Sequence, residues 1–83
     1  MLAQTQYRLS AADLEIVLAM VRTGTLAAAG ERLGVDASTV FRSLQRIERG
    51  LGTTLFARSR TGYLAGDLAH ALADALSKDH VSG

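Results

Sequence analysis

Arginine is concentrated in the middle of the chain, where it could bind an anionic partner. The 83 residues carry a formal net charge of only +1, but within residues 32–60 six arginines outnumber the two acidic residues Asp36 and Glu48. The planar guanidinium group binds phosphates and guanine edges bidentately. This segment therefore predicts a surface for a phosphate-bearing partner, and nucleic acid is the candidate. The six are Arg32, Arg42, Arg46, Arg49, Arg58 and Arg60.

Catalytic and metal chemistry have little support in the sequence. His70 and His80 are ten residues apart, the chain has no cysteine, and no carboxylate lies at ligand spacing, so a surface position is favoured over a metal site. Serine, histidine and aspartate occur without the arrangement that a nucleophile, its base and an orienting acid require. No glycine-rich phosphate loop follows a predicted strand. We therefore expect neither an enzyme nor a bound metal or other cofactor.

The arginine-rich segment contains a helix with two different faces, for which Asp36 is a good N-cap. Its apolar seam, roughly 60° wide, consists of Val40, Leu44, Ile47 and Leu51. The opposite side carries Ser38, Arg42, Gln45 and Arg49. Phe41 lies on the border between the two faces, about 100° around the helix from Val40. One face is therefore predicted to lie in the core and the other to be exposed.

Two shorter helices are predicted before this one. Ser10 and Asp13 form an N-terminal capping pattern, and Gly24 can end the first helix in the left-handed conformation. The predicted buried stripe of this helix is Leu14, Val17, Leu18 and Val21. Thr25 then caps a second helix with a small packed face, made of Leu26, Ala29, Gly30 and Leu33. With the turn at Gly34, the second and third helices read as a helix-turn-helix.

A β-hairpin and a last helix are predicted after residue 52. Thr53–Ala57 and Tyr63–Ala65 are β-prone runs, and the polar residues 58–62 between them form an arginine-bearing tip. Arginines on a helix face alone are often merely solvated, but that reading does not explain a second arginine site at a loop tip. The last helix is predicted from about Asp67 to Ser77, with a stripe of Leu68, Leu72, Ala75 and Leu76.

Composition indicates one small, mainly α domain. The chain has no proline, and 48% of its residues are hydrophobic but only 5% aromatic, which is typical of compact helical folds. We expect a domain at residues 1–66 followed by a linker or dimerisation helix and tail at residues 67–83. Because neither a membrane-spanning run nor a signal peptide is visible, a cytoplasmic location is expected.

The segment from Asp13 to Leu64 resembles the DNA-binding domain of bacterial LysR-type transcription regulators. The resemblance is carried by four ungapped segments: residues 24–30 (GTLAAAG), 33–35 (LGV), 36–42 (DASTVFR) and 47–58 (IERGLGTTLFAR). The last segment is the most specific. The chain departs from the family pattern at Ala37 and Phe41, where glutamine and serine are common. It also lacks the threonine that usually caps the fourth helix, for which Asp67 is the candidate replacement.

The resemblance implies a winged helix-turn-helix with a three-helix core, a β-hairpin wing and a C-terminal linker helix. It implies sequence-specific binding to double-stranded DNA as a homodimer on an inverted repeat, with any effector bound outside this segment. The expected DNA-binding residues are Thr25, Ala37, Ser38, Thr39, Phe41, Arg42, Gln45, Arg46, Arg49, Arg58 and Arg60. The expected dimerisation residues are Leu68, Leu72, Ala75 and Leu76.

Alternatives stay open at this point. The same fold serves as a protein-interaction module without DNA binding, although such a module has no need of an arginine face. The N-terminal domain of molybdate-responsive regulators is also similar, and the LGTTLFAR segment favours the LysR type over it. Finally, the stripe on the last helix could pack on the first helix of the same chain instead of on a second copy.

Overall fold

The computed structural model describes residues 9–82, with side chains described from residue 9 to residue 75. Its elements are α1 (Ala11–Thr23), α2 (Leu26–Leu33), α3 (Ala37–Leu51), β1 (Phe56–Ser59), β2 (Gly62–Ala65) and α4 (Asp67–Ser82). The two strands form an antiparallel hairpin. The mainly α winged helix-turn-helix expected from the sequence is confirmed.

Helix α1 begins at the predicted capping arrangement. The Asp13 amide donates to Ser10 Oγ at 3.1 Å, and the Ser10 amide donates to Asp13 Oδ2 at 3.2 Å. The predicted stripe is only partly right, because Leu14, Leu18 and Val21 are half-buried. The buried side chains of α1 are Asp13, Val17, Ala19 and Met20. Since α2, α3 and α4 all contact α1, its buried surface is wider than one stripe and is centred on a different side.

Helix α2 packs closely against the turn that follows it. The Thr25 hydroxyl caps the helix as predicted, accepting a hydrogen bond from the Ala28 amide at 3.1 Å. Gly30 is fully enclosed by the turn: a Cβ there would lie 2.5 Å from the Val35 carbonyl oxygen and 3.3 Å from the Ala37 amide nitrogen. The Val35 amide donates to the Gly30 carbonyl oxygen at 2.9 Å. The absence of a side chain at residue 30 therefore lets the turn close and sets the angle of α3.

Helix α3 has the two faces that its pattern predicted. Val40, Leu44 and Ile47 are buried, and Leu51 is half-buried. Asp36 occupies the N-cap position, but its side chain makes no capping hydrogen bond. The start of α3 is instead marked by backbone hydrogen bonds from the Thr39 and Val40 amides to the Asp36 carbonyl oxygen, at 3.0 and 3.2 Å.

The hairpin is shorter at its tip and begins later than predicted. Strand β1 starts at Phe56 instead of Thr53, and Ser59 pairs with Gly62, which leaves a two-residue turn of Arg60 and Thr61. Arg58 thus lies within the strand, opposite Tyr63, and not in the tip. Thr53 and Thr54 favour β structure, but both are exposed and neither belongs to the strand. Leu55 is buried and lies just before the first paired residue, Phe56.

Helix α4 packs on α1 through a face that was not predicted. Ala69 is fully buried and Ala73 is buried, so small side chains line this contact. Within the predicted stripe, Leu72 is half-buried against the core, whereas Leu68 and Ala75 are exposed and the Leu76 side chain lies outside the described residues. Asp67 is the first helical residue, so it is not the cap, and α4 continues to Ser82 instead of ending near Ser77.

The larger side chains of the core come from α1, α3 and the segment that enters β1. Its largest fully buried members are Met20, Ile47, Leu55, Val17 and Val40. Small residues, Ala29 on α2 and Ala69 on α4, are completely buried where helices approach one another. Within residues 9–82, no helix combines the length and the apolar character that crossing a membrane would need.

Replacing Gly30 by alanine is expected to destabilise the protein, although alanine is the better helix former. The added Cβ would collide with the Val35 carbonyl oxygen, which is backbone and can yield only by opening the turn. Overpacking of this kind costs about 1–3 kcal/mol, which urea unfolding measures. The control Ala27→Leu adds a larger side chain on the exposed side of α2 and should change stability by less than about 0.5 kcal/mol. A Gly30→Ala midpoint at or above that of the parent would contradict the packing argument.

Candidate nucleic-acid interface

The outward face of α3 presents the polar side chains that the helical projection placed there. Ser38, Arg42, Gln45 and Arg49 are all exposed, as are Thr39 and Phe41. Ala37 is half-buried at the first helical position. Because the buried seam anchors the opposite side of the helix, these side chains are held on a rigid element and point away from the core.

Arg46 is directed differently from the other arginines. Its Nη2 atom lies 3.0 Å from Asp13 Oδ1, and the Asp13 side chain is only 8% exposed. A carboxylate with so little access to water needs a charged partner, and Arg46 supplies it from α3 to the N-terminus of α1. The Arg46 side chain nevertheless stays 56% exposed, so the ion pair joins α3 to α1 and the expectation that Arg46 also contacts nucleic acid stays a prediction.

Glu48 connects α3 to the hairpin. Its Oε2 atom accepts hydrogen bonds from the Leu55 amide at 2.6 Å and the Phe56 amide at 3.2 Å. These amides lie where the chain enters β1, so the carboxylate fixes the base of the hairpin relative to the helix. The sequence reading assigned Glu48 no role, although an acidic residue between Arg46 and Arg49 was a signal that could have singled it out.

Strand β2 is attached to the helices at a different point from the entrance to β1. The Tyr63 amide donates to the Gly24 carbonyl oxygen at 2.8 Å, which ties β2 to the junction between α1 and α2. A Cβ at residue 62 would collide with that same carbonyl oxygen and lie 3.1 Å from Thr25 Cγ2. Gly62 therefore permits the close approach, and the tip of the hairpin is held beside Thr25 at the start of α2.

The hairpin carries two arginines in different settings. The Arg58 guanidinium carbon lies 5.7 Å from the centre of the Tyr63 ring, a cation–π geometry that restrains the exposed side chain. Arg60 is exposed in the two-residue turn. Between the hairpin and α3 runs a narrow groove lined by Phe41, Leu44, Gln45, Glu48, Phe56, Arg58 and Tyr63.

The expected residues are thus brought together with few exceptions. The hydrogen bonds of Glu48 and Gly24 join the elements that carry the outer face of α3, the hairpin residues Arg58 and Arg60, and the half-buried Thr25. Arg46 forms an ion pair with Asp13. Among the described residues, no group of three histidine, aspartate or glutamate side chains could hold a metal ion. The His80 side chain lies outside the described residues.

Comparisons with known proteins agree with this arrangement. A family model for bacterial regulatory helix-turn-helix proteins of the lysR family matches residues 11–66. The crystal structure of a CbnR DBD–DNA complex is 32% identical over 87% of this chain and 84% of that chain, with a TM-score of 0.73. A transcriptional regulator of the LysR family from Eggerthella lenta DSM 2243 is 29% identical over 82% of this chain and 97% of that chain, with a TM-score of 0.72.

Longer proteins match over the same region. Oxidized OxyR from Corynebacterium glutamicum has a TM-score of 0.79 over 93% of this chain, but at 19% identity it shows the fold alone. The present chain spans only 24% of that protein, and 25% of CbnR in the crystal structure of that LysR family regulator. No curated protein matches the chain significantly.

Replacing Glu48 by alanine is expected to loosen the hairpin. The Leu55 and Phe56 amides lose their acceptor, so their hydrogen exchange should accelerate and stability should fall by about 1–3 kcal/mol. Glu48→Gln keeps a carbonyl oxygen at the same position and should retain most of the protection. Exchange measured by NMR distinguishes these variants, with Glu31→Ala, on the exposed side of α2, as the control. Unchanged exchange at both amides in Glu48→Ala would show that the carboxylate does not hold the hairpin.

Proposed function

Because the chain belongs to the LysR family of bacterial regulatory helix-turn-helix proteins, we propose that it binds duplex DNA in a sequence-specific manner as part of a transcription regulator. Helix α3 enters the major groove, and the hairpin lies along the backbone or in the minor groove. The observation that carries the proposal is the exposed polar face of α3 beside a hairpin bearing two arginines. The CbnR DBD, at 32% identity, forms a complex with DNA in its crystal structure.

Within the proposed interface, the side chains differ in role by their position on α3. Ser38 and Arg42 lie in the first turns of the helix, where base edges are reached, and Gln45 extends the same face. Arg49, farther along the helix, contacts phosphates. Arg58 and Arg60 bind the backbone or a narrow minor groove, where arginine is favoured. Thr25 lies at the N-terminus of α2, where its hydroxyl oxygen accepts from the Ala28 amide and its O–H can still donate to a phosphate.

The proposal also covers enzymatic activity, location, effector binding and the rival function. Such a protein is not an enzyme and works in the bacterial cytoplasm. Effector recognition belongs to the portion of the longer regulators that this chain does not match. A winged helix that serves as a protein-interaction module is the rival function, but it leaves the exposed arginines of α3 and the hairpin without a purpose.

Selection from a random duplex library tests the proposal. We expect enrichment of a defined sequence, to which binding weakens by orders of magnitude between about 50 and 200 mM salt, because several arginines release counterions from phosphates. A protein-interaction module would enrich no sequence. Affinity that barely changes over this salt range would also count against the proposal.

Arg42 and Arg60 should differ when replaced by alanine. Loss of Arg42 should cost roughly 1–3 kcal/mol of binding and relax the preference at one base pair, whereas loss of Arg60 should weaken binding to all sequences and lower the salt slope by about one. Titrations of the selected duplex and its single-base-pair variants measure both effects. Arg46→Ala is the comparison: it should lower stability by about 1 kcal/mol, because Asp13 loses its ion pair, and keep the sequence preference. If Arg42→Ala bound every sequence equally less well, the base-reading role would be wrong.

We also propose that α4 pairs two copies of the chain through the stripe of Leu68, Leu72, Ala75 and Leu76, of which Leu68 and Ala75 are exposed. Leu68 is 41% exposed, whereas Leu72 is half-buried against the core of its own chain. Leu68→Asp should abolish cooperative binding to an inverted repeat whose half-sites lie about 10 base pairs, or a multiple, apart, yet spare a single half-site. An aspartate in the first turn of α4 is compatible with the helix. Gel-shift titrations that show no change on either duplex would exclude this pairing.

A further inference from the structure

Phe41 is a large apolar side chain on the otherwise polar face of α3. Its helical position left open whether it joins the core, and the structure settles the question: the ring is 39% exposed, while its neighbours Val40 and Leu44 are buried. The residue that follows it, Arg42, and the residue one turn later, Gln45, are both exposed. Phe41 is thus partly buried and partly exposed beside polar groups, and its exposed part is available to a partner of α3.

The ring is held in place along one side. Together with Phe56 and Tyr63, it lines the groove between α3 and the hairpin. The groove has a volume of only about 170 Å³, whereas sites for small organic ligands usually measure about 300–1,000 Å³. A small molecule is therefore not the partner that this ring suits, and its outward side stays available to whatever α3 contacts.

We propose that Phe41 is a specificity-determining residue that contacts the C5-methyl group of a thymine in the major groove. The inference rests on the proposed function and names a feature of the DNA that the protein reads. Among the groups that base pairs present in the major groove, the thymine methyl is the apolar one, and aromatic and aliphatic side chains contact it. A purely apolar protein partner would match the ring but not the exposed Arg42 next to it and Arg58 across the groove, whereas a duplex matches both.

The test replaces single thymines by uracil in the duplex selected with this chain, which removes only the methyl group. At one position, binding should weaken about fourfold, the effect expected for withdrawing one buried methyl group. Phe41 and Arg42 are adjacent on a helix that rises about 1.5 Å per residue. The sensitive thymine should therefore lie within about two base pairs of the position at which Arg42→Ala relaxes the preference.

Variants assign the effect to the ring. Phe41→Ser should bind the thymine and uracil duplexes equally, and Phe41→Leu should keep most of the difference. Leu64→Ser removes an exposed apolar side chain from the hairpin and should keep all of it. Thermal unfolding of each variant confirms that the fold is retained.

Three outcomes would overturn the inference. It is wrong if no thymine is enriched or if uracil is tolerated at every position. It is also wrong if Phe41→Ser preserves the difference between thymine and uracil, since another side chain would then read the methyl group. In these cases selective binding of duplex DNA would still support the proposed function, whereas failure to enrich any duplex would overturn both.

Discussion

The two hydrogen bonds that Glu48 accepts from the entrance to β1 join the parts of this protein that present arginine. Helix α3 has its own apolar seam, but the hairpin contributes only Phe56 to the buried core, with Tyr63 and Ala65 half-buried against it. So small an apolar surface does not fix the orientation of a two-stranded hairpin, which is marginal by itself. The carboxylate of Glu48 and the carbonyl oxygen of Gly24 supply the missing restraints, one for each strand. The spacing between the outer face of α3 and the arginines of the hairpin depends on both.

The arginines of α3 differ in the contacts that they make. Asp13 is buried because it completes the cap of α1 where that helix contacts α3, and its charge is balanced by Arg46. This arginine therefore contributes to the fold, while 56% of its side chain stays exposed on the same helix as Arg42 and Arg49. A single buried carboxylate thus sets one guanidinium group of α3 apart from the others. Composition and net charge do not make that division, since they count all six alike.

In helix α4, small side chains determine which face packs on α1 and which leucines stay exposed. Ala69 and Ala73 allow α4 to lie close to α1, and this contact uses the face that a leucine-based prediction left out. The leucines are consequently distributed: Leu72 is half-buried beside the intramolecular contact, and Leu68 stays exposed. Within the described part of the predicted stripe, Leu68 is therefore the leucine most open to solvent. Exposed Leu64 and Phe41 lie on other elements, so the exposed large apolar side chains of the described residues are not confined to one helix.

The sequence by itself determined the local features: the caps at Ser10 and Thr25, the seam and outer face of α3, and the existence of a hairpin. These features arise from side chains within a few residues of one another, whose hydrogen bonds and periodicity are set by helix and strand geometry. Only the tertiary structure decided which face of α1 is buried, where β1 begins, that Arg46 binds Asp13, and that Glu48 holds the hairpin. The pair of Asp13 and Arg46 joins residues 33 positions apart, and Glu48 reaches amides seven and eight positions away, beyond the end of its own helix. Whether a guanidinium or carboxylate group finds a partner outside its own helix is decided only when packing brings the two groups within hydrogen-bond distance.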